Sequence, residues 1–151
     1  MSASESQKQL VCRLLDEVFN GSDLEIVDEL VHSDFFDHEA PASRANGPAG
    51  FKATVRQLHQ AFAGFRVEPR DLIAEGDRVA VRATTSGRQV GELNGFPATG
   101  SEWAAQAIHI FRVTNGQVIE HWASHHRLAV RPLREPLVPP NRTSNESRRD
   151  R

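Results

Sequence analysis

His109 and His125 are the residues of this chain whose types and spacing most suggest proton-transfer chemistry. An imidazole titrates near neutral pH, so it can serve as either an acid or a base. Both histidines fall in residues 75–126, a stretch with the pattern of a meander of long strands. These strands are expected to carry the two side chains toward one enclosed space. We expect function in that space rather than at a phosphate-binding loop or a metal motif.

Each candidate also has a purely structural explanation. His109 sits in an apolar segment, where a histidine packed into the core is ordinary. Asp37 precedes two polar residues, in a setting where an aspartate commonly forms an Asx turn. His125 and His126 are adjacent, so only one of the two can face a cavity if the strand is regular.

Three strands are predicted within this stretch, at residues 78–85, 103–113 and 117–125, from their β-branched and aromatic content and the turns that flank them. Asn115-Gly116 is typical of a two-residue hairpin turn. Residues 89–100 are interrupted by several Gly and Pro and are expected to hold a short strand and a loop. Because side chains alternate between faces, His109 shares one with Phe111, and His121 shares one with Ala123 and His125.

The N-terminal half of the chain has helical periodicity. A first helix is predicted around Leu10–Val18 and ends near Gly21, and the Ser22–Glu25 segment has the form of a capping box that opens a second helix. A third helix is expected from about Pro48. Helices followed by strands predict an α+β architecture, in which N-terminal helices pack on one face of a curved, mostly antiparallel sheet.

Length and composition limit the classes of protein to consider. The 151 residues suit one domain, which we place at residues 1–131, followed by an extended, disordered tail at residues 132–151. A net charge of -2 gives no basic surface for nucleic acid. No apolar run approaches the roughly 18 residues of a membrane span, and the N-terminus is polar, so a cytoplasmic location is expected.

The chain resembles the SnoaL-like polyketide cyclase family, within the nuclear transport factor 2-like superfamily of cone-shaped α+β barrels. The likeness extends over most of residues 7–130, and the order and spacing of its pieces are more specific than any single piece. It rests on Phe35-Phe36-Asp37-His38, Ala61-Phe62, residues 76–82, residues 91–100, residues 109–113 and residues 115–122.

This resemblance implies an apolar cavity for a polycyclic aromatic polyketide. In cyclases of the family, a carboxylate removes a proton from an acidic carbon of a polyketide ester, which then closes a ring by intramolecular aldol condensation without metal or cofactor. The likeness places that carboxylate directly after the Trp of a Glu-His-Trp motif, opposite a His. The matching His is His109, but the matching carboxylate position is Ala123.

Alanine cannot accept a proton, so the resemblance favours the hydroxylase branch of the family, with cofactor-independent hydroxylation of an anthracycline-type substrate as the main prediction. Dioxygen would be the co-substrate, and a separate reductase would supply reduced substrate. We expect His109 to be the principal acid/base group, Asp37 to orient it or the substrate, and His125 to assist. The expected substrate contacts are His38, Phe62, Arg82 (if its face is inward), Phe111, His121 and Trp122.

Two alternatives to hydroxylation remain open from the sequence. A polyketide ester cyclase is the second interpretation, and a cavity that binds a small molecule without chemistry is the third. Two histidines with Asp37 or Glu39 would suit non-haem iron, but the usual ligand spacings are absent and the family implies no metal, so no metal is expected.

A homodimer is expected, because an exposed sheet face with apolar side chains usually finds a partner.

Overall fold

The structure is a computed structural model that describes residues 1–128, with the backbone alone described for residues 127 and 128. The predicted tail, residues 132–151, and the last residues of the predicted domain therefore lie outside the described residues.

Helices lead the chain and strands follow, as predicted. The helical elements are α1 (Ala3–Arg13), which runs on as a π-helical segment (Leu14–Asn20), α2 (Val27–Leu30) and α3 (Gly47–Ala61). The strands are β1 (Val31–Asp37), β2 (Phe62–Glu75), β3 (Arg78–Gln89), β4 (Glu102–Thr114) and β5 (Gln117–Leu128).

The helix starts differ from prediction at one place. A capping box does occur, but at Ser2 and Glu5, where it opens α1. At the predicted box, Asp23 instead accepts a hydrogen bond from the backbone N–H of Glu25, and α2 begins only at Val27. The prediction of a helix start at Ser22 was wrong, because that residue has a positive φ of 56° and belongs to a turn.

The five strands form one sheet in the order β1-β5-β4-β3-β2. Neighbouring strands are antiparallel except β1 and β5, which are parallel. Helices on one face of a curved, mostly antiparallel sheet confirm the predicted α+β class. The hairpin turn is confirmed as well, since Asn115 and Gly116 have the positive φ values of 49° and 74° that such a turn requires.

Two strands went unpredicted and one predicted strand is absent. Strand β2 contains Gly64 and Pro69, which disguise it in sequence, and the register shifts at both places. Strand β1 is short and polar at its end. In the 89–100 segment, β3 extends to Gln89 and the remainder shows only an isolated bridge between Leu93 and Phe96, so the expected short strand was wrong.

The inner face of the sheet packs against the helices. Alternate residues of β3, including Val79 and Val81, are fully buried there, and α3 contributes Phe51 and Val55 to the same cluster. Within residues 1–128, none of the helices combines the length and the apolar character needed to span a lipid bilayer.

Candidate active site

A cavity of about 300 Å³ lies between the helices and the inner face of the sheet. Its apolar walls come largely from aromatic and aliphatic side chains, and its polar groups converge from β1, β4, β5 and the segment that precedes α3. The apolar side chains include Phe19, Leu58, Phe62, Phe65 and Trp103. The ionisable side chains are Asp37, Glu39, Arg44, His109, His121 and His125.

The register of the β4–β5 hairpin places the histidines on the cavity face. His109 lies opposite Ala123, and the flanking pairs are Phe111 with His121 and Ala107 with His125. Residues directly opposite each other in an antiparallel pair project to the same side. The shared face that alternation predicted is therefore present, and it is the inner one.

Strand β1 brings the carboxylate. It runs parallel to β5 and ends at Asp37, which pairs with His121 in the register. One Asp37 oxygen lies 2.9 Å from His121 Nδ1, and it also accepts the backbone N–H of Glu39 at 2.9 Å. Asp37 therefore forms the Asx turn that its sequence suggests, and the same oxygen also contacts a cavity imidazole.

A chain of hydrogen bonds continues from His121 to His109, whose Nδ1 lies 2.9 Å from His121 Nε2. An ionised carboxylate only accepts, so His121 Nδ1 must donate to Asp37. When His121 is neutral, its Nε2 accepts from His109 Nδ1–H. His109 Nε2 then carries a lone pair. That atom is buried and has no hydrogen-bond partner among residues 1–128.

The surroundings keep His109 neutral. Burial, which disfavours the charged imidazole, is the largest cause. The positive charges that His121 and His125 would carry act in the same direction, and the negative charge of Asp37 opposes them weakly. Together these effects lower the pKa of His109 from 6.5 to about 3. Burial alone would raise the pKa of Asp37, but the hydrogen bond and charge of His121, together with the backbone N–H of Glu39 and the charge of His38, hold that pKa below its ordinary value. At neutral pH, Asp37 is thus an anionic carboxylate and His109 is an uncharged imidazole.

A second carboxylate, Glu39, lies beside the position where the resemblance expects one. Its Oε1 accepts the backbone N–H of Ala123 at 3.1 Å. Burial lowers the pKa of His125, and the charge of Glu39 partly counteracts that effect. The sequence had suggested Glu39 only as a metal ligand. Among residues 1–128, no three His, Cys, Asp or Glu side chains are grouped in a way that would hold a metal ion.

The predicted substrate contacts divide into two groups. Phe62 and His121 line the cavity, whereas Phe111 is 1% exposed and lies beneath the imidazoles, with its ring centroid 4.8 Å from that of His121. It therefore supports the histidines and is absent from the cavity wall.

His38, Arg82 and Trp122 do not line the cavity, so their expected place on its wall is corrected. Arg82 projects from the outer face of β3 and pairs with Asp71 at 2.6 Å. Trp122 lies opposite Ile110 on the outer face and stacks on His38, with ring centroids 4.7 Å apart. Strand alternation explains all three, because residues next to inward-facing ones, such as His121 and Asp37, must face outward.

Arg44 was missed by sequence reasoning. It lies in the irregular segment between β1 and α3, where no periodicity indicates the direction of a side chain. Arg44 lines the cavity, and its guanidinium donates to two other lining residues, Thr54 and Gln57 of α3, at 2.8 and 2.7 Å.

Comparison with known proteins agrees with this architecture. The sequence profile of the SnoaL-like polyketide cyclase family matches residues 9–132. Aklanonic acid methyl ester cyclase DnrD of Streptomyces peucetius is 31% identical over 121 residues, which cover 77% of this chain and 81% of that protein. Nogalonic acid methyl ester cyclase of Streptomyces nogalater is 28% identical over 108 residues, which cover 68% and 78%.

Among solved structures, TsrD from Streptomyces laurentii superposes with a TM-score of 0.74 at 28% identity, over 83% of this chain and 91% of that one. The profile match covers most of the chain, and the fold that carries the cavity is the same. The protein described here therefore belongs to the SnoaL-like polyketide cyclase family.

Proposed function

We propose that this protein is a tailoring enzyme of anthracycline-type aromatic polyketide biosynthesis that closes a ring by intramolecular aldol condensation. The similarity to two methyl ester cyclases supports cyclisation over the hydroxylation expected from sequence. The apolar walls and the volume of about 300 Å³ suit a compact polycyclic aromatic ligand.

The observation that carries the proposal is the unpartnered Nε2 of His109, among residues 1–128, at the end of the Asp37–His121–His109 chain. In the proposed reaction, this nitrogen removes a proton from an acidic carbon flanked by carbonyl groups. The carbanion attacks a carbonyl carbon of the same molecule, and the resulting alkoxide takes the proton back. The product is an isomer of the substrate, and no co-reactant is consumed.

The hydrogen-bond chain explains how a weakly basic imidazole can do this. As His109 Nε2 accepts the substrate proton, the proton on its Nδ1 can pass to His121 Nε2. The positive charge then rests on the imidazole that Asp37 contacts, where a carboxylate stabilises it. The chain thereby replaces the single carboxylate that Ala123 cannot supply.

The test is incubation of the purified protein with aklanonic acid methyl ester, followed by chromatography and mass spectrometry. We expect an isomer of unchanged mass, formed equally in air and under anaerobic conditions. His109→Gln keeps a polar side chain but removes the basic nitrogen, and an amide cannot take up the substrate proton, so kcat should fall by about 10²- to 10⁴-fold.

His126→Gln is the matched control, since His126 is exposed on the outer face of the same sheet. Its kcat should equal that of the wild type. Unchanged turnover in the His109 variant would contradict the assignment of the base, and tight retention of unaltered ligand would instead identify a binding protein.

Hydroxylation is the second candidate, and the methyl group of Ala123 opposite His109 favours it. The family likeness places a carboxylate at this position, and its absence suits a site adapted to other chemistry. No bound cofactor would be needed, with dioxygen as co-substrate and a separate reductase to reduce the substrate. Gain of one oxygen atom only in air, in the same assay, would establish this function and reject the cyclase.

We also propose that the protein is a homodimer formed through the outer face of the sheet. An apolar row crosses four strands there, because Ile73 lies opposite Ala80, Ala80 opposite Ile110, and Ile110 opposite Trp122. Ile73 and Ile110 are 67% and 37% exposed. A contiguous apolar row on one face is the kind of surface that a two-fold axis buries.

A further inference from the structure

Arg44 lines the cavity, and its positive charge is not compensated by an ion pair within residues 1–128. Its side-chain hydrogen bonds go to two neutral oxygens, Thr54 Oγ1 and Gln57 Oε1. Within residues 1–128, no carboxylate lies within ion-pairing distance of it, whereas Arg13, Arg82 and Arg112 each have at least one such partner. Neutral acceptors orient a guanidinium without neutralising it.

The orientation of Arg44 is determined by a network rather than by chance. Thr54 donates its hydroxyl proton to the carbonyl oxygen of Gly50 at 3.2 Å, which leaves its oxygen free to accept from Arg44. Gln57 donates its amide N–H to Asn94 Oδ1 at 3.3 Å, which leaves its carbonyl oxygen facing Arg44. The guanidinium is thus held on α3, and the 91–100 loop orients one of its two acceptors.

The backbone that carries Arg44 also packs closely on α3. A Cβ at Gly50 would lie only 1.7 Å from the carbonyl oxygen of Ala45, so this glycine is what allows the segment to approach the helix. The side chain of Arg44 is half-buried and lines both the main cavity and an adjoining space of about 70 Å³. That smaller space is too small for a ring system but accommodates a ligand substituent.

The two carboxylates of the cavity are already engaged elsewhere. Asp37 contacts His121, and Glu39 accepts the N–H of Ala123. Arg44 is the fixed cation among the described lining residues, and a guanidinium fork has further N–H donors beyond the two in use. Such a fork binds anionic oxygens more strongly than neutral ones.

We propose that Arg44 anchors the substrate through an ionised oxygen, a carboxylate or an acidic phenol on the aromatic ring system. This inference rests on the proposed aromatic polyketide ligand and names the chemical class within it. Arg44 would hold the ring system by a substituent, while the atoms that react lie toward His109. It thereby favours polyketides with an acidic substituent over fully neutral ones.

The test measures binding, so that it does not depend on turnover. Binding is followed by tryptophan fluorescence, since Trp103 lines the cavity. The three probes are anthraquinone-2-carboxylate, its methyl ester and a hydroxyanthraquinone. The last is measured below and above the pH at which its phenol ionises. For the wild type we expect the carboxylate, the ionised phenol or both to bind roughly ten- to hundred-fold more tightly than the neutral form of the same probe. The probe that shows this preference identifies the source of the anionic oxygen.

Arg44→Gln should abolish the preference while the methyl ester still binds with wild-type affinity, which demonstrates an intact cavity. Arg44→Lys should retain part of the preference, because a lysine keeps the charge but lacks the fork. Arg56→Gln is the matched control, since Arg56 is exposed on α3, and it should behave as the wild type.

Two results would overturn the proposal. Equal wild-type affinity for the charged and neutral forms would show that Arg44 does not select an anion, and an equal loss of all probes in Arg44→Gln would assign it a structural role only. Either result leaves the proposed cyclase intact. Failure of every probe to bind the wild-type protein would instead contradict the aromatic ligand itself, and the Arg44 proposal with it.

Discussion

At the scale of single residues, the candidate site depends on hydrogen bonds that fix which nitrogen carries a proton. Asp37 sets the tautomer of His121, and His121 in turn sets that of His109. Burial then keeps His109 uncharged, so a lone pair is available at neutral pH. Three ordinary side chains form one hydrogen-bonded unit because each restricts the tautomer of the next.

The lowered pKa of His109 predicts a pH dependence of stability. Below pH 6.5 the unfolded chain protonates this imidazole, whereas the folded protein keeps it neutral down to about pH 3. The unfolded state therefore binds more protons in this window, and the free energy of unfolding falls as the pH drops, by up to about 1.4 kcal/mol per pH unit. Urea unfolding at a series of pH values measures the slope.

His109→Gln should lose that component of the slope. His125 contributes a slope of the same sign in both proteins, since its pKa is also lowered. His126→Gln should keep the wild-type slope. Identical pH dependence in wild type and His109→Gln would show that His109 titrates normally in the folded state.

At the scale of elements, β5 holds the site together because it has a partner on each side. Strand β4 brings His109 and strand β1 brings Asp37, and both meet at His121. On the far edge of the sheet, β2 is supported differently. Asn20, at the end of the π-helical segment, donates to the carbonyl oxygen of Val67 at 2.8 Å and accepts its N–H at 2.7 Å.

This contact predicts a graded loss of stability. The Asn20 amide occupies the place of a neighbouring strand on an edge that lines the cavity. Asn20→Ala would leave both backbone groups of Val67 without partners and should lower the free energy of unfolding by about 1–3 kcal/mol. Urea denaturation measures this change.

Asn20→Asp is the informative comparison, because a carboxylate keeps the acceptor for the Val67 N–H and loses the donor to its carbonyl. It should lie between the wild type and Asn20→Ala. If Asn20→Ala were as stable as the wild type, the two hydrogen bonds between Asn20 and Val67 would contribute nothing to the free energy of unfolding.

At the scale of the whole molecule, the sheet separates two environments. Its inner face carries the core and the cavity, and its outer face carries ion pairs together with the apolar row defined above by Ile73, Ala80, Ile110 and Trp122. The inner face therefore lines the candidate site, and the outer face is available to a second copy. Dimerisation through the outer face would leave the cavity open.

The dimer proposal makes a direct prediction. A charge in the centre of the apolar row would have to be buried without a partner, which is strongly unfavourable. Ile110→Glu should convert the dimer to a monomer in sedimentation or light-scattering measurements. Val90→Glu changes an exposed apolar residue outside the row and should leave the dimer intact. A monomeric wild type at micromolar concentration would refute the proposal.

Much of this architecture follows from local pattern. The hairpin turn at Asn115-Gly116 and the helical spacing of Leu10, Leu14 and Val18 were legible, and they led to the correct α+β class. Strand β2 could not be predicted from sequence, because Gly and Pro usually argue against a strand. They are tolerated here because β2 is an edge strand with bulges. The prediction of a helix start at Ser22 failed for a different reason, because an Asx turn and a helix cap use the same residue types.

The amino-acid sequence by itself determined which side chains share a face, because alternation along a strand is a property of the backbone alone. Alternation is enough to place His121, Ala123 and His125 on one face of β5. Only the tertiary structure decided that this face is the inner one, and that Asp37, 84 residues away in sequence, contacts His121. The physical reason is that contacts between distant segments depend on how β1 and α3 pack on the sheet, which no local periodicity encodes.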